Sequence, residues 1–359
     1  MRLKNANLTN SSWGLNNVPI KQSSLHALPL ENQMNKRSFS IGVSVFLLSL
    51  VCAMVPALAQ DFANRPITMV VGFAAGGAAD TAARIIARKL GENLGVSVIV
   101  DNRAGAGGNI AHQQVANATP DGSIILLGSV GPLCIAPHLV AKLGYDPQRD
   151  LAPLTMGLSF PNVLVVHSGV AAKNFAEFLA LAKARPGAMD YASTGVGSAS
   201  HLAGEMFKQR AGVDMVHVPY KGGGPAMIDL LAGRITAYYS TYSTAKPHID
   251  SGKLRPLAVT GLERLSSLPN VPTIAESGFP GFDASNWYAF VAPGKTPKQL
   301  LDRWNAELVK VLKAPDVREQ LDKHGLTAMP GTREELANTI RKESVMWARV
   351  IKDGKITAE

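Results

Sequence analysis

The sequence predicts an α/β protein built from βα units, and three observations carry that prediction. Short apolar runs rich in Val and Ile alternate with segments of helical period along most of the chain, as when strands lie side by side and helices return across their faces. Two glycine-rich turns, 72–80 (GFAAGGAAD) and 102–109 (NRAGAGGN), each follow such a run and open a helix-like one. Beyond position 59 there remain 300 residues, enough for two cores.

The leader comes first. Lys36-Arg37, the apolar run 41–55 and Ala57-Leu58-Ala59 have the layout of a secretory signal peptide cleaved after Ala59. The run is shorter than the roughly 20 residues a spanning helix needs, so a membrane anchor fits less well. Residues 1–33 are polar and lack a sustained period, which predicts a segment that does not pack, with translation starting at Met34 and the signal peptide occupying 34–59. Residues 1–59 carry five basic and one acidic side chain, so the formal charge of +9 falls to +5 in the remainder. That field favours anionic solutes. No Arg/Lys stripe interleaved with aromatics is present, which argues against nucleic acid. Cys134 is left alone, flanked by apolar residues, and is expected in the core.

Along the mature chain, 67–71 and 96–100 read as strands, each leading into one of the glycine turns. Residues 81–94 place Ile85, Ile86, Leu90 and Leu94 near one helical face, with Asp80 as N-cap. Strands are expected at 123–128 and 163–167. The helix at 174–185 is capped by Asn174, with Glu177 at capping-box spacing, and Pro186-Gly187 stops it. A strand at 189–192, a hydroxyl-rich turn at 193–198, a helix at 201–210 and a strand at 215–218 follow. Pro225 suits the first turn of a helix that Gly233 ends. Strands at 235–239 and 257–259 precede two helices beyond Thr296, the second starting at Thr332 with Glu335 three residues on.

The chemistry-bearing residues cluster in the turns. Glycine lets backbone N–H groups approach a ligand closely, and a helix start adds unpaired N–H groups and partial positive charge. Two such turns at adjacent strand ends would seat a carboxylate on main-chain amides: Phe73, Ala74, Gly76 and Gly77 in one, Ala104, Gly105, Ala106 and Gly107 in the other. Asp80 either caps its helix or touches ligand; the cap is favoured, because a carboxylate would repel an anion. Neither turn is a nucleotide motif. Ile110 stands where the dinucleotide fingerprint needs glycine, and no Gly-Lys-Ser/Thr follows. Ser129, where the strand at 123–128 ends, is a further candidate ligand contact. In the turn beginning Ser193-Thr194, Ser198 and His201 could form a nucleophile–base pair, but the Gly-x-Ser-x-Gly elbow is absent; ligand hydrogen bonding by the hydroxyls and helix capping by Ser198 or Ser200 remain open. Lys221, before Gly222, is either a point charge for a carboxylate or a surface lysine. No cofactor is expected, and no His/Cys/Asp/Glu cluster has metal-ligand spacing.

These residues together resemble a known family. Gly76-Gly77-x-x-Asp80, Asp101-Asn102-Arg103-x-Gly105-Ala106-Gly107-Gly108, Ser193-x-Gly195-x-Gly197-Ser198-x-x-His201-Leu202 and Val218-Pro219-Tyr220-Lys221-Gly222 are similar, in order, to the periplasmic receptors of tripartite tricarboxylate transporters, the Bug family. The resemblance implies a two-lobed periplasmic binding protein of type II-like fold, two doubly wound lobes with a ligand cleft at the hinge. It places lobe one at 60–160 plus 288–359 and lobe two at 161–287. It also implies a non-enzymatic, monomeric, periplasmic receptor that closes on a small organic acid and delivers it to membrane permease subunits. The two glycine turns would hold one carboxylate, while Ser193, Thr194, Ser198 and the Lys221-Gly222 turn would meet the far end. A periplasmic serine hydrolase using Ser198 and His201, or a ligand sensor for a signalling partner, are the alternatives.

Overall fold

The computed structural model describes residues 65–358; the expected leader and its cleavage site lie outside the described residues. The chain opens a first sheet with β1 (Ile67–Val71), β2 (Val98–Asn102), β3 (Ile124–Ser129) and β4 (Leu151–Phe160). It then builds a second sheet from β5 (Asn162–His167), β6 (Asp190–Ser193), β7 (Val216–Pro219), β8 (Ala237–Thr241) and β9 (Leu254–Val259), and returns to the first with β10 (Asn286–Pro293) and β11 (Thr327–Ala328). The sheet orders are β11-β4-β10-β3-β1-β2 and β7-β6-β8-β5-β9.

Both sheets are mixed, where alternation alone predicts parallel ones. β1 runs parallel to β2 and β3, and β6 parallel to β7 and β8. β10 is antiparallel to β3 and β4, and β5 is antiparallel to β8 and β9. The departures sit where the chain passes between sheets. Only Pro161 separates β4 from β5, and β10 re-enters the first sheet straight from the second. A strand arriving from outside the sheet needs no crossover helix, so it is free of the constraint that keeps βαβ strands parallel. Proline has no N–H to lose at such a junction.

Helices cover the sheets: α1 (Ala78–Leu94), α2 (Asn109–Ala116), α3 (Ala136–Leu139), α4 (Phe175–Ala184), α5 (Ala199–Ala211), α6 (Gly223–Leu231), α7 (Tyr242–Asp250), α8 (Lys298–Lys313), α9 (Pro315–Lys323) and α10 (Arg333–Gly354). Two expected caps form as the sequence predicts. Asn174 accepts the Glu177 N–H at 2.9 Å, and Thr332 and Glu335 make a reciprocal capping box before α10. Two helix expectations are corrected. Beyond Thr296 three helices form, because Ala314 is extended and Pro315 starts a new helix at its first position. The N-cap of α1 is the extended Gly77, which places Asp80 inside the first turn.

One face of the first sheet packs Met69 and Val71 against Ile86 and Leu90 of α1 and Trp304 and Leu308 of α8. A second cluster joins Val70 and Leu126 to Leu164, Phe178 and Phe207 through Trp347 and Ile351 of α10, so the C-terminal helix ties both sheets to one core. Cys134 belongs to it, fully buried.

Candidate functional site

Where the two sheets meet, the ends of β3, β5, β8 and β10 and the start of α5 surround a small cavity of about 20 Å³. Its walls are Phe73, Ser129, Asn162, Thr194, Ser198, Ala199, Ser200, Tyr239, Thr241, Asn286 and Tyr288. Strand periodicity selects them. Tyr239 and Thr241 share one face of β8, and Asn286 and Tyr288 one face of β10, while Trp287 turns the other way and donates its indole N–H to Glu343 at 2.9 Å. Register then brings the faces together: Asn162 lies opposite Thr241, and Tyr288 opposite Ser129.

The walls carry no charged side chain and mix hydroxyl and amide groups with the rings of Phe73, Tyr239 and Tyr288. All but Thr194 are buried. Four polar atoms there have no hydrogen-bond partner among the described residues: Ser129 Oγ, Asn162 Nδ2, Asn162 Oδ1 and Tyr239 OH. Buried polar atoms are normally satisfied, and an unpaired one costs about 1–3 kcal/mol, so a concentration of them marks surface built for a ligand. Burial pushes the Tyr239 and Tyr288 hydroxyls above the usual phenol range, which keeps both protonated. Two helix starts abut the same space, because Ser198 is the N-cap of α5 and Thr241 that of α7. Each start adds partial positive charge. Neutral donors plus two helix N-termini suit an anionic group.

Of the sixteen residues singled out from sequence, Phe73, Ser129, Thr194 and Ser198 line this cavity. The other twelve do not line it and fall in two sets. In the first turn, the Ala74 N–H donates to the Lys221 carbonyl at 3.1 Å, and the Gly76 N–H to Asp80 Oδ2 at 3.1 Å. These amides serve the protein itself. Burial pushes the Asp80 carboxyl up, but hydrogen bonds from Arg84, Gly76 and Asn102 outweigh it and hold the group below the usual carboxylate range. Gly77 caps α1, and Gly222 caps α6. In the second turn, Ala104 and Gly105 lead into Ala106 and Gly107, both in left-handed conformation. His112 Nδ1 pairs with the Gly108 carbonyl behind that turn at 2.9 Å.

The second set interlocks the two halves. A Cβ on Gly195 would lie 2.7 Å from Gly107 N, one on Gly222 2.9 Å from Ala74 N, and one on Gly131 2.6 Å from the Gly197 carbonyl oxygen. One partner in each pair follows a first-sheet strand and the other a second-sheet strand. The turns therefore press backbone on backbone between the two sheets.

Behind the 193–201 turn lie two stacked imidazoles, His201 and His217, with ring centroids 4.0 Å apart. Ser193 Oγ is 2.6 Å from His217 Nε2, and His201 Nδ1 accepts the Gly197 N–H at 3.2 Å. Burial lowers the His201 imidazole to about 4; burial and the neighbouring His201 lower His217 to about 3. Both are neutral at pH 7. Ser198 Oγ meets Ser200 Oγ and the backbone N–H of His201, with no bond to the imidazole. His201 supports the turn.

Asn162, Ser200, Tyr239, Thr241, Asn286 and Tyr288 were not foreseen as site residues. The available signal was polarity inside strand-like runs: Asn162 directly after Pro161, Thr241 closing a Tyr-Tyr-Ser-Thr stretch, and Asn286 before Trp287. Among the described residues no group of three or more His, Cys, Asp or Glu could hold a metal ion.

Two mixed sheets joined by two crossings, with a buried, largely polar cavity at the crossing, are an arrangement suited to holding a small solute. Comparison with known proteins gives the family. The model of the tripartite tricarboxylate transporter family receptor matches residues 82–356, and the chain belongs to that family. A protein of the tcbD-tcbE intergenic region of a Pseudomonas species is 40% identical over 298 residues, 83% of this chain and 88% of that one. BugT of Bordetella pertussis is 36% identical over 89% of this chain and 98% of its own. Among solved structures, the periplasmic binding protein BugD superposes with a TM-score of 0.79 at 34% identity, covering 82% of this chain and 99% of BugD. An R. palustris protein with adipate gives 0.80 at 33%, over 83% and 99%. MatC from Rhodopseudomonas palustris with bound malate gives 0.77 at 31%, over 81% and 100%. The chain is thus a substrate-binding protein and not an enzyme.

Proposed function

We propose that this protein is a periplasmic receptor that captures a small organic acid and delivers it to the membrane permease subunits of a tripartite tricarboxylate-type transporter. The observation that carries the reading is the set of buried, unpartnered polar atoms at Ser129, Asn162 and Tyr239, beside the N-termini of α5 and α7. A carboxylate accepts from hydroxyl and amide donors and is stabilised at a helix N-terminus. Adipate and malate in the solved relatives belong to the same chemical class.

In this reading residues 60–160 plus 288–359 and residues 161–287 act as two lobes of a monomer. The acid enters while they are apart, and hinge closure at Pro161 and the 260–285 crossing brings the glycine turns together. The turns at Phe73–Gly77 and Ala104–Gly107 then lock the cleft from outside the cavity, with Lys221 and Gly222 meeting Ala74. Cleavage after Ala59 releases the receptor into the periplasm.

A thermal-shift screen over organic acids tests the proposal, run on protein unfolded and refolded to strip any copurified ligand. A ligand that binds only the native state at about 100 times its Kd adds about 2.7 kcal/mol of stability, and for a chain this size the melting point should rise by several degrees. No shift with any acid would refute the proposal.

A further inference from the structure

We infer that the acid taken by this cavity carries a hydroxyl beside its carboxylate, and that Asn162 selects for that hydroxyl; the inference rests on the receptor function proposed above. Asn162 is 1% exposed. Its backbone is fixed at the junction of the sheets: the N–H donates to Thr260 Oγ1 at 2.9 Å, and the carbonyl accepts the Thr260 N–H at 2.9 Å. The side chain is held in the cavity wall with both amide atoms unpartnered.

The two ends of that amide ask for different things. Nδ2 needs an acceptor and Oδ1 needs a donor. Whichever way the amide is turned, one acceptor faces the cavity. A carboxylate or a ketone brings acceptors alone and would leave Oδ1 buried and unpaired. The hydroxyls of Ser129 and Tyr239 can rotate to donate to a carboxylate, whereas an amide oxygen has no such freedom. A ligand hydroxyl answers both ends, accepting from Nδ2 and donating to Oδ1.

An ammonium group would also donate. It would enter a wall without a single acidic side chain, next to two helix N-termini whose partial charge opposes a cation. Amino acids are therefore poor candidates, and hydroxy acids fit.

The test compares matched acids on refolded protein by titration calorimetry: malate with succinate and aspartate, lactate with propionate and pyruvate, and 2-hydroxybutyrate with butyrate. We expect at least one hydroxy acid to bind about tenfold or more tighter than its deoxy, keto and amino counterparts. In Asn162→Leu the ratio of hydroxy to deoxy affinity should fall to near one while the deoxy acid still binds; Asn162→Ala serves if the leucine variant does not fold. Ser129→Ala should weaken both members of a pair by a similar factor. Equal or tighter binding of deoxy acids by the unaltered protein overturns the inference while leaving the receptor reading intact, as does a ratio that survives at position 162. Failure of every acid to bind defeats the receptor reading and this inference together.

Discussion

Tyr239 carries a hydroxyl that is buried and has no partner among the described residues. In the ligand-free protein such a group is a liability, because it has left water without gaining a bond. Tyr239→Phe should therefore raise the stability of the free protein by about 1 kcal/mol and weaken acid binding by roughly tenfold. Urea unfolding and calorimetry on the same variant check both halves. A variant that loses stability and keeps its affinity would show that the hydroxyl serves the fold. Sequence gave partial sight of such residues. Phe73, Ser129, Thr194 and Ser198 stand out because they occupy turns and strand ends, where exposed donors are expected. Asn162 and Asn286 open β5 and β10 and Tyr239 lies within β8, and their orientation toward one cavity depends on register between segments more than 70 residues apart.

At the scale of elements, the 193–201 turn depends on two histidines that must stay neutral. Their folded values, about 4 for His201 and about 3 for His217, lie below the ordinary 6.5. The charged form is thus disfavoured in the folded state, and the contribution to stability is complete above pH 6.5. It is lost as pH falls from 6.5 toward 4, where the unfolded chain takes up protons that the folded chain refuses, at about 1.4 kcal/mol per pH unit for one such group. Glu205 and Lys208 on α5 and Tyr191 on β6 also face this pair, and Glu205 favours the charged form of His217. We expect the melting temperature to fall steadily between pH 6.5 and 4, and His217→Gln to flatten that slope. An unchanged slope would place the acid sensitivity elsewhere. Elements with local signals, such as the helices capped by Asn174 and Thr332, were legible in advance. β4, β10 and α7 were not, since no alternation marks the two strands and Thr241 makes no side-chain capping bond to the helix it precedes.

For the whole molecule, the closure proposed above would bring the glycine turns together, and Gly131 offers a clean way to oppose it. It sits in the short helical segment after β3, and an added Cβ would be 2.6 Å from the Gly197 carbonyl oxygen and 3.2 Å from Ser198 Cα across the interface. Gly131→Ala should leave each sheet intact, hold the halves apart and reduce acid affinity by tenfold or so, the equivalent of about 1.4 kcal/mol. Solution scattering should record a smaller radius of gyration when acid is added to the unaltered protein, and little change in the variant. A variant that contracts and binds normally would rule out closure through this contact.

Sequence alone determined the α/β class, the family and the glycine turns, because these are written in local periodicity, in capping residues and in short motifs read along the chain. It also determined the modest positive charge left beyond position 59. Only the tertiary structure decided which way the strands run, that Ala74 and Gly76 spend their amides on Lys221 and Asp80, and which side chains form the cavity wall. Those outcomes depend on strand register and on backbone meeting backbone between distant segments, and pairing of that kind leaves no pattern in neighbouring residues.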